Sequence, residues 1–293
     1  METNKCYLCP FECGVNRAQT FGRCRAGEKI VVARAAAHYF EEPCISGKNG
    51  SGAVFFSGCA LGCVFCQNAD ISQKIKGKEL TSESLADVFD RLADQGVHNI
   101  NLVTPSHFAP QIAKALEIFG GKLPVVWNSS GYEKVETLKM LDGLVDIYMP
   151  DFKYGDDALG YKYSQVSDYF KVAKEALDEM YRQRGNYFIE NEILKSGVLV
   201  RHLVLPEAFE NTRNVLDYIS ERFDSGEVLF SLMGQYTPVS ESLKYPELNR
   251  RLHESEYKWA IDYMSSCGIY DGFVQELSSA EKCYIPEFDL TGV

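Results

Sequence analysis

The sequence predicts an α/β fold in which strands and helices alternate along most of the chain. From about residue 53, short apolar runs alternate with stretches whose apolar residues recur at helical spacing. The apolar runs lack the polar alternation of half-exposed strands, which indicates parallel strands covered by helices. About six such units suit either a partial (β/α) barrel or a doubly wound sheet, and both bind ligands at the carboxyl ends of the strands.

The elements follow one another in a regular series. A strand is predicted over 53–58, because this run is short, apolar and closed by glycine. A helix over 81–96 follows, with apolar residues from Leu85 to Leu92 on one face and Gly96 at its end. The same reasoning predicts strands at 99–104, 123–128, 144–149, 197–206, 227–233 and 271–276, and helices at 109–120, 132–143, roughly 164–184, 207–223 and 245–268.

Composition and charge limit the classes of function. No apolar run approaches the roughly 20 residues needed to cross a bilayer, and the start lacks the features of a signal peptide. A cytoplasmic protein without a membrane partner is therefore expected. The net charge is −11, and the larger part of the chain has no basic stripe, which disfavours nucleic acid as a partner. No GxGxxG or Walker pattern occurs, which disfavours a nucleotide-binding doubly wound sheet.

The first fifty residues break the alternation. We predict a small cysteine-rich, metal-binding lobe over 1–50 and the barrel over 51–293. Four of the ten cysteines lie within residues 6–24 of this lobe: Cys6, Cys9, Cys13 and Cys24. Zinc and an auxiliary iron–sulfur cluster both suit four thiols, with zinc preferred; zinc would make the lobe a structural module, and a cluster would make it an electron relay or substrate ligand. Three isolated cysteines are expected to pack as small hydrophobic residues: Cys44, Cys267 and Cys283.

The loop after the first predicted strand places Cys59, Cys63 and Cys66 within eight positions. In a reducing compartment, such spacing indicates metal binding or catalysis ahead of disulfides. Gly58 and Gly62 let the backbone wrap closely around a bound group. Structural zinc takes four protein ligands, whereas an iron–sulfur cube held by three thiolates leaves one iron open. The loop therefore favours a cluster over a zinc knuckle completed by a distant cysteine.

This CxxxCxxC loop resembles that of the radical S-adenosylmethionine (SAM) superfamily. The resemblance implies a partial (β/α)6 barrel of TIM type, with a [4Fe–4S] cluster on Cys59, Cys63 and Cys66 and SAM at the open iron. It also implies oxidoreductase chemistry, in which one electron cleaves SAM and the resulting 5′-deoxyadenosyl radical abstracts hydrogen from a substrate. Phe65 matches an aromatic residue that the superfamily places near the adenine.

A closer resemblance indicates which molecules the protein would act with. The segment SGCALGCVFCQN is similar to the loop of pyruvate formate-lyase activating enzymes, and nearly the whole chain is similar to a branch often called PflX-type. Stretches that carry this similarity include CYLCPFECGVNR, EEPCISG, INLVTPSHF, DIYMPDFKY and LMGQYTP. It implies a glycyl radical enzyme as the target and an electron donor of the flavodoxin or ferredoxin type. Two alternatives stay open: radical modification of a peptide or small metabolite, and a non-catalytic zinc-binding scaffold.

The resemblance also implies cofactor-binding residues on successive strands. Asp151 and Lys153 match an Asp-x-Lys after the fourth strand, and Arg201 matches an arginine on the fifth. Asn128 and Ser129 stand where activating enzymes have an Asp-Thr pair. A zwitterionic ligand with a net positive charge needs both cationic and acceptor groups of this kind.

The chain departs from the activating-enzyme pattern in two places. TPSHF at 104–108 replaces a Gly-Gly-Glu segment that receives the SAM amino group. Gln235 and Tyr236 replace a histidine contact after the sixth strand, and we expect this pair to contribute to the cofactor site. These departures affect the expected contacts to the SAM amino group and the side of the site that faces the substrate.

Several polar residues have a structural interpretation. Only one of Arg201 and His202 can face the barrel interior; the resemblance assigns it to Arg201 and leaves His202 under a helix. His107 is interpreted as the start of the helix after the second strand. Glu41 and Glu42, in HYFEEP, are interpreted as a charged turn.

Overall fold

The computed structural model describes residues 5–277 and 286–293, which form an α/β fold on a ten-stranded sheet. The strands are β1 (Ile30–His38), β2 (Ser51–Phe56), β3 (Lys78–Leu80), β4 (Ile100–Val103), β5 (Val125–Ser129), β6 (Ile147–Pro150), β7 (Phe188–Glu190), β8 (Ile193–Leu203), β9 (Leu229–Met233) and β10 (Gly272–Val274). The helices are α1 (Pro43–Ser46), α2 (Ala69–Ser72), α3 (Ser82–Asp94), α4 (Ala109–Phe119), α5 (Val135–Lys139), α6 (Asp157–Ser164), α7 (Tyr169–Arg184), α8 (Phe209–Arg222) and α9 (Glu254–Ser266).

The strand order is that of an open barrel. The sheet runs β10-β9-β8-β6-β5-β4-β2-β1-β3, and every neighbouring pair from β2 to β10 is parallel. Successive parallel strands therefore always add on the same side, whereas a doubly wound sheet reverses its order at a switch point. Hydrogen bonds between the described strands do not close the barrel. The predicted α/β class with a partial barrel is confirmed.

Side chains of the parallel strands alternate between the barrel interior and the helical layer. On β8, Arg201 faces a cavity inside the barrel, and the next residue faces outward. His202 Nδ1 lies 2.6 Å from the carbonyl oxygen of Phe152, and its Nε2 lies 3.0 Å from Thr212 Oγ1 of α8. Burial lowers the pKa of His202 to about 4, so the imidazole is neutral at pH 7. The expected division between the two neighbours is confirmed.

Helix α1 packs into the amino-terminal end of the barrel. Its Cys44 and Ile45 are buried against interior residues from four parallel strands: Val126, Ile147, Leu199 and Leu229. The prediction that Cys44 packs as a small hydrophobic residue is confirmed, since it is 3% exposed. Cys267 is half-buried beside Asp217, and Cys283 lies outside the described residues.

Several elements differ from the sequence-based expectations. Strand β1, inside the predicted lobe, pairs antiparallel with both β2 and β3, so it belongs to the main sheet. The helix expected over 132–143 is reduced to α5, and the one expected over 245–268 begins only at Glu254, after two short 3₁₀ turns. The division at residue 50 stays a prediction. None of the described helices is long and apolar enough to cross a membrane.

One buried tyrosine ties together the carboxyl ends of β5 and β6. The hydroxyl of Tyr169, at the start of α7, lies 2.7 Å from the carbonyl oxygens of both Ser130 and Asp151. It also accepts a 2.8 Å hydrogen bond from the backbone N–H of Lys153. Because loops at strand ends have few contacts of their own, this side chain fixes the path of residues 151–153.

We predict that Tyr169→Phe destabilises the protein by about 2 kcal/mol, because it leaves buried backbone groups without a partner. Equilibrium denaturation with guanidinium chloride measures the change. Tyr161→Phe is the control, since Tyr161 is 66% exposed and its hydroxyl can bond to water. Equal stability of the two variants would contradict the role of Tyr169.

Candidate active site

The three-cysteine loop, residues 59–66, follows closely on β2, and two glycines determine the path of its backbone. Gly58 has a φ of 90°, and a Cβ there would lie 2.5 Å from the carbonyl oxygen of Cys24. Gly62 also has a positive φ, 63°. Only glycine adopts such angles without strain, so both positions shape the turn that carries the thiols.

The loop opens into a cavity of about 230 Å³ at the carboxyl ends of the parallel strands. All but one of the residues predicted to bind the cluster or SAM on the barrel line this cavity: Cys59, Cys63, Phe65, Cys66, Asn128, Ser129, Asp151, Lys153, Arg201 and Gln235. The exception is Tyr236, which is 1% exposed and donates a 2.7 Å hydrogen bond to the carbonyl of Leu248. Its ring packs at 6.4 Å from that of Phe65, so Tyr236 supports the cavity wall from behind.

Hydroxyl groups surround the thiols of the loop. Ser72 Oγ lies 3.2 Å from Cys66 Sγ, and Ser164 Oγ lies 3.1 Å from Cys63 Sγ. Burial and, to a smaller extent, the neighbouring thiols raise the pKa of Cys59 to about 12. Three neighbouring thiolates, one buried and two half-buried, therefore need a positively charged group among them, with the serine hydroxyls as hydrogen-bond donors.

A chain of charged side chains crosses the cavity floor. Arg201 donates from Nε to Asp151 Oδ1 at 2.7 Å and from Nη2 to Asn128 Oδ1 at 2.8 Å. Lys153 Nζ donates to the other carboxylate oxygen of Asp151 at 2.7 Å. Burial alone would raise the pKa of Asp151, but Arg201 and Lys153 hold it below its ordinary value. The carboxylate is therefore ionised at neutral pH.

Sequence reasoning missed Glu41. Its carboxylate accepts a 2.8 Å hydrogen bond from Arg201 Nη1 and 3.2 Å hydrogen bonds from the amides of Asn101 and Asn128. The side chain is only 11% exposed and lines the same cavity. The interpretation of Glu41 as a charged turn is therefore wrong. The adjacent Glu42 is also buried, and its carboxylate lies 3.6 Å from Arg201 Nη1.

The segment TPSHF after β4 stands where activating enzymes bind the SAM amino group, but only its first residue reaches the cavity. Thr104, with a φ of 60°, lines the cavity, whereas Ser106 donates a hydrogen bond to the buried Glu133. Burial raises the pKa of Glu133 to about 6. His107 lies in a 3₁₀ turn before α4, with its Nε2 2.8 Å from the carbonyl of Ser57. His107 is interpreted from the sequence as the start of the helix and lies two residues before α4 begins at Ala109. Its contact with Ser57 also supports the backbone that leads into the cysteine loop.

The four cysteines of the amino-terminal segment lie near one another. Cys9 and Cys24 are buried, and burial, with smaller upward effects from the other three thiols, raises the pKa of Cys9 to about 12. Cys6 is half-buried and Cys13 is exposed. In the described part of the chain, no three His, Cys, Asp or Glu side chains are placed to hold a single metal ion. The structure therefore gives no support to the predicted zinc.

Comparisons with known proteins identify the family. The family model of the radical SAM superfamily matches residues 53–219. An uncharacterized protein of Methanocaldococcus jannaschii is 33% identical over 267 residues, which cover 88% of this chain and 73% of that protein. The chain therefore belongs to the radical SAM superfamily.

Solved structures support the fold. SuiB of Streptococcus suis, determined bound to S-adenosylmethionine, aligns with a TM-score of 0.51 at 14% identity, over 76% of this chain and 49% of SuiB. The chain thus spans about half the length of SuiB. A domain of a pyruvate formate-lyase activating enzyme from Bacteroides vulgatus aligns with a TM-score of only 0.35 at 10% identity, over 67% of this chain and 91% of that domain. That likeness is too weak to assign a branch.

The residues present fit the cofactors that the superfamily implies, a [4Fe–4S] cluster and SAM. Cys59, Cys63 and Cys66 supply three thiols on one loop, and the two serine hydroxyls described above supply donors to sulfur. Asp151 and Lys153 place opposite charges in the same cavity, as a zwitterionic ligand requires.

We predict that Glu41→Ala lowers the free energy of unfolding by about 3 kcal/mol, because Arg201 then lacks one of its buried anionic partners. Chemical denaturation measures the loss. Glu83→Ala is the matched control: Glu83 pairs with Lys114 on the surface, where both side chains are 60% exposed, so its removal is expected to have little effect. Equal losses in the two variants would show that Glu41 is an ordinary surface carboxylate.

Proposed function

We propose that this protein is a radical SAM enzyme that reductively cleaves SAM and uses the resulting radical to abstract hydrogen from a glycine of a partner enzyme. The observation that carries the first part is the convergence of the three thiols with Asn128, Asp151 and Lys153 on one cavity. These groups come from one loop and from the ends of two successive strands, β5 and β6.

The [4Fe–4S] cluster and SAM, when bound, supply the one-electron chemistry that yields a 5′-deoxyadenosyl radical. The protein's own contribution is to hold and orient. Lys153 and Asp151 offer a cation and an anion that suit the carboxylate and the positive charge of SAM. Phe65 is packed against three tyrosine rings and offers a rigid apolar surface for the adenine: Tyr154, Tyr163 and Tyr236.

Arg201 is proposed to act by positioning its neighbours. Its three bonded nitrogens are directed at Asp151, Glu41 and Asn128, which leaves the guanidinium committed to protein partners. This differs from the resemblance-based expectation that Arg201 contacts SAM directly. In the arrangement described here, Arg201 fixes the carboxylate of Asp151 and the amide of Asn128 at the cavity surface.

The remaining walls of the cavity combine apolar side chains with uncharged polar ones such as Gln67 and Asn68. Phe40, Phe55, Val103 and Leu203 line it together with Met233. These side chains carry no carboxylate or ammonium group, so this part of the cavity suits a target without a charged side chain, and the apolar ones would limit the access of water to a carbon radical. A glycine in an extended backbone segment is such a target, and the sequence similarity to activating enzymes supports the same choice.

The proposal implies two macromolecular partners. One is a glycyl radical enzyme that receives the radical, and the other is a one-electron donor of the flavodoxin or ferredoxin type. A peptide or small metabolite as the substrate, and a scaffold without redox chemistry, are the outcomes against which the experiments below discriminate.

We predict that Cys63→Ala reduces the formation of 5′-deoxyadenosine at least about a hundredfold, because one of three cluster ligands is lost. Anaerobically reconstituted protein is incubated with SAM and dithionite, and the product is measured by chromatography. Circular dichroism should show a preserved fold. Cys267→Ala, a half-buried thiol far along the chain from the loop, is the control, and undiminished product in Cys63→Ala would refute the assignment.

The target is tested with a purified glycyl radical enzyme. Together with this protein, SAM and dithionite, we predict a doublet in the electron paramagnetic resonance spectrum that is absent when the target glycine is replaced by alanine. Deuterium at that glycine should appear in 5′-deoxyadenosine. If deoxyadenosine forms without a partner-centred radical, the substrate is a peptide or metabolite; if none forms and no iron is bound, the chain is a scaffold.

A further inference from the structure

The amino-terminal segment 5–29 folds into two tight loops that bring four thiols together. The first loop is closed by backbone hydrogen bonds from Cys6 N–H to Val15 O at 2.9 Å and from Gly14 N–H to Cys6 O at 3.0 Å. The second is closed by a bond from Arg25 N–H to Gly22 O at 2.9 Å. Neither loop has a helix or strand of its own, so backbone turns alone would leave the segment weakly held.

The two loops meet at Gly22. A Cβ at this position would lie 3.3 Å from Cys13 Sγ and 3.5 Å from Cys24 Sγ, so the sulfurs of the two loops flank the same glycine. Cys9 is 8% exposed and Cys24 is 5% exposed, and the thiols of Cys6, Cys13 and Cys24 all lie within electrostatic reach of Cys9. Four thiols from the two loops therefore share one small volume.

A second, independent observation indicates an anionic group at this place. Arg17 donates from Nη1 to the carbonyl of His107, while its Nε and Nη2 are buried and have no hydrogen-bond partner among the described residues. The same guanidinium interacts electrostatically with Cys24. Buried N–H groups require acceptors, and the sulfurs of a bound cluster would provide them.

We propose that Cys6, Cys9, Cys13 and Cys24 hold a second iron–sulfur cluster of the [4Fe–4S] type. A tetrahedral zinc ion needs all four sulfurs about 2.3 Å from one point, and the described side chains include no group of three placed to hold one ion. A four-iron cluster takes each thiolate at a different iron, so its ligands stand farther apart. The same holds for the cysteine loop at 59–66, which the superfamily uses for its cluster: its three thiols are not placed to hold a single ion either.

This second cluster is also in a position to pass electrons, a role that rests on the proposed function. The Cys24 carbonyl packs against Gly58, next to Cys59. Arg23 donates from Nε to the carbonyl of Ala60 at 3.4 Å and from Nη2 to that of Ser164 at 3.1 Å. Since Ser164 bonds to Cys63 Sγ, short contacts connect the two groups of thiols.

The charge of segment 5–29 fits an acidic donor. It carries five Lys or Arg against two Asp or Glu, in a chain whose net charge is −11. A flavodoxin-type donor would lose one electron to the second cluster, which would pass that electron to the cluster on the 59–66 loop; no atoms are transferred. Opposite charges on donor and acceptor speed the encounter at low ionic strength.

The site is tested by metal analysis of anaerobically reconstituted protein. Wild type should bind about eight iron atoms, and both Cys59→Ala/Cys63→Ala/Cys66→Ala and Cys9→Ala/Cys24→Ala should bind about four. Cys267→Ala is the control and should match wild type. The triple variant keeps the four amino-terminal cysteines, so it tests the proposal even if the double variant fails to fold. A triple variant that binds no iron, or one zinc ion per chain in place of iron, would overturn the proposal.

The electron-transfer role is tested with two reductants. Cys9→Ala/Cys24→Ala should lower the ratio of the flavodoxin-driven to the dithionite-driven rate of 5′-deoxyadenosine formation at least about tenfold relative to wild type, because dithionite can reduce the cluster on the 59–66 loop directly. An unchanged ratio would overturn the relay, including the case in which the variant loses activity equally with both reductants. A failure of the proposed function would instead abolish the product in wild type with either reductant.

Discussion

A buried charge network inside an otherwise apolar barrel is the constraint on which the site depends. Arg201 is 9% exposed, and a guanidinium deprived of a partner in such a place costs roughly 3–5 kcal/mol. Glu41 and Asp151 compensate it from opposite directions: one lies on the loop after β1, the other follows β6. The network therefore fixes the position of β8 relative to two distant segments, and the cavity takes its shape from these three points.

The first fifty residues contribute to both ends of that cavity. Residues 41–46 enter from below, where α1 packs against the start of the parallel strands. Residues 22–26 lie above, where the carbonyl of Cys24 packs on Gly58 of the cysteine loop. Strand β1 joins the two regions and pairs with β2 along its length. The segment thus supports the barrel wherever the domain boundary is drawn.

Local sequence signals predicted what depends on local structure. The predicted helix over 81–96 corresponds to α3, Ser82–Asp94. The prediction succeeds because the spacing of the apolar residues and the N-cap Thr81 both indicate the same helix. Strand β1 was not predicted, since ARAAAH favours helix by propensity and gains its strand conformation only by pairing with β2. In the site, the cysteine loop and the Asp151–Lys153 pair follow from motifs. Glu41 does not, because its role arises from contacts with residues 60 to 160 positions away.

Arg23 connects the amino-terminal cysteine segment to the cysteine loop of the barrel. Its guanidinium lies over the ring of Phe11 at 4.6 Å, and it also bonds to the loop that carries Cys59. Thiolates in a low-dielectric environment need such neighbours, since burial alone favours the neutral thiol. The cation that counters the upward pKa shift of Cys24 is Arg17, whereas the exposed Arg23 joins the two groups of cysteines through its hydrogen bonds to the carbonyls of Ala60 and Ser164. Arg23 and Ala60 are 37 positions apart in the sequence, so no local motif predicts this contact between the amino-terminal cysteine segment and the 59–66 loop.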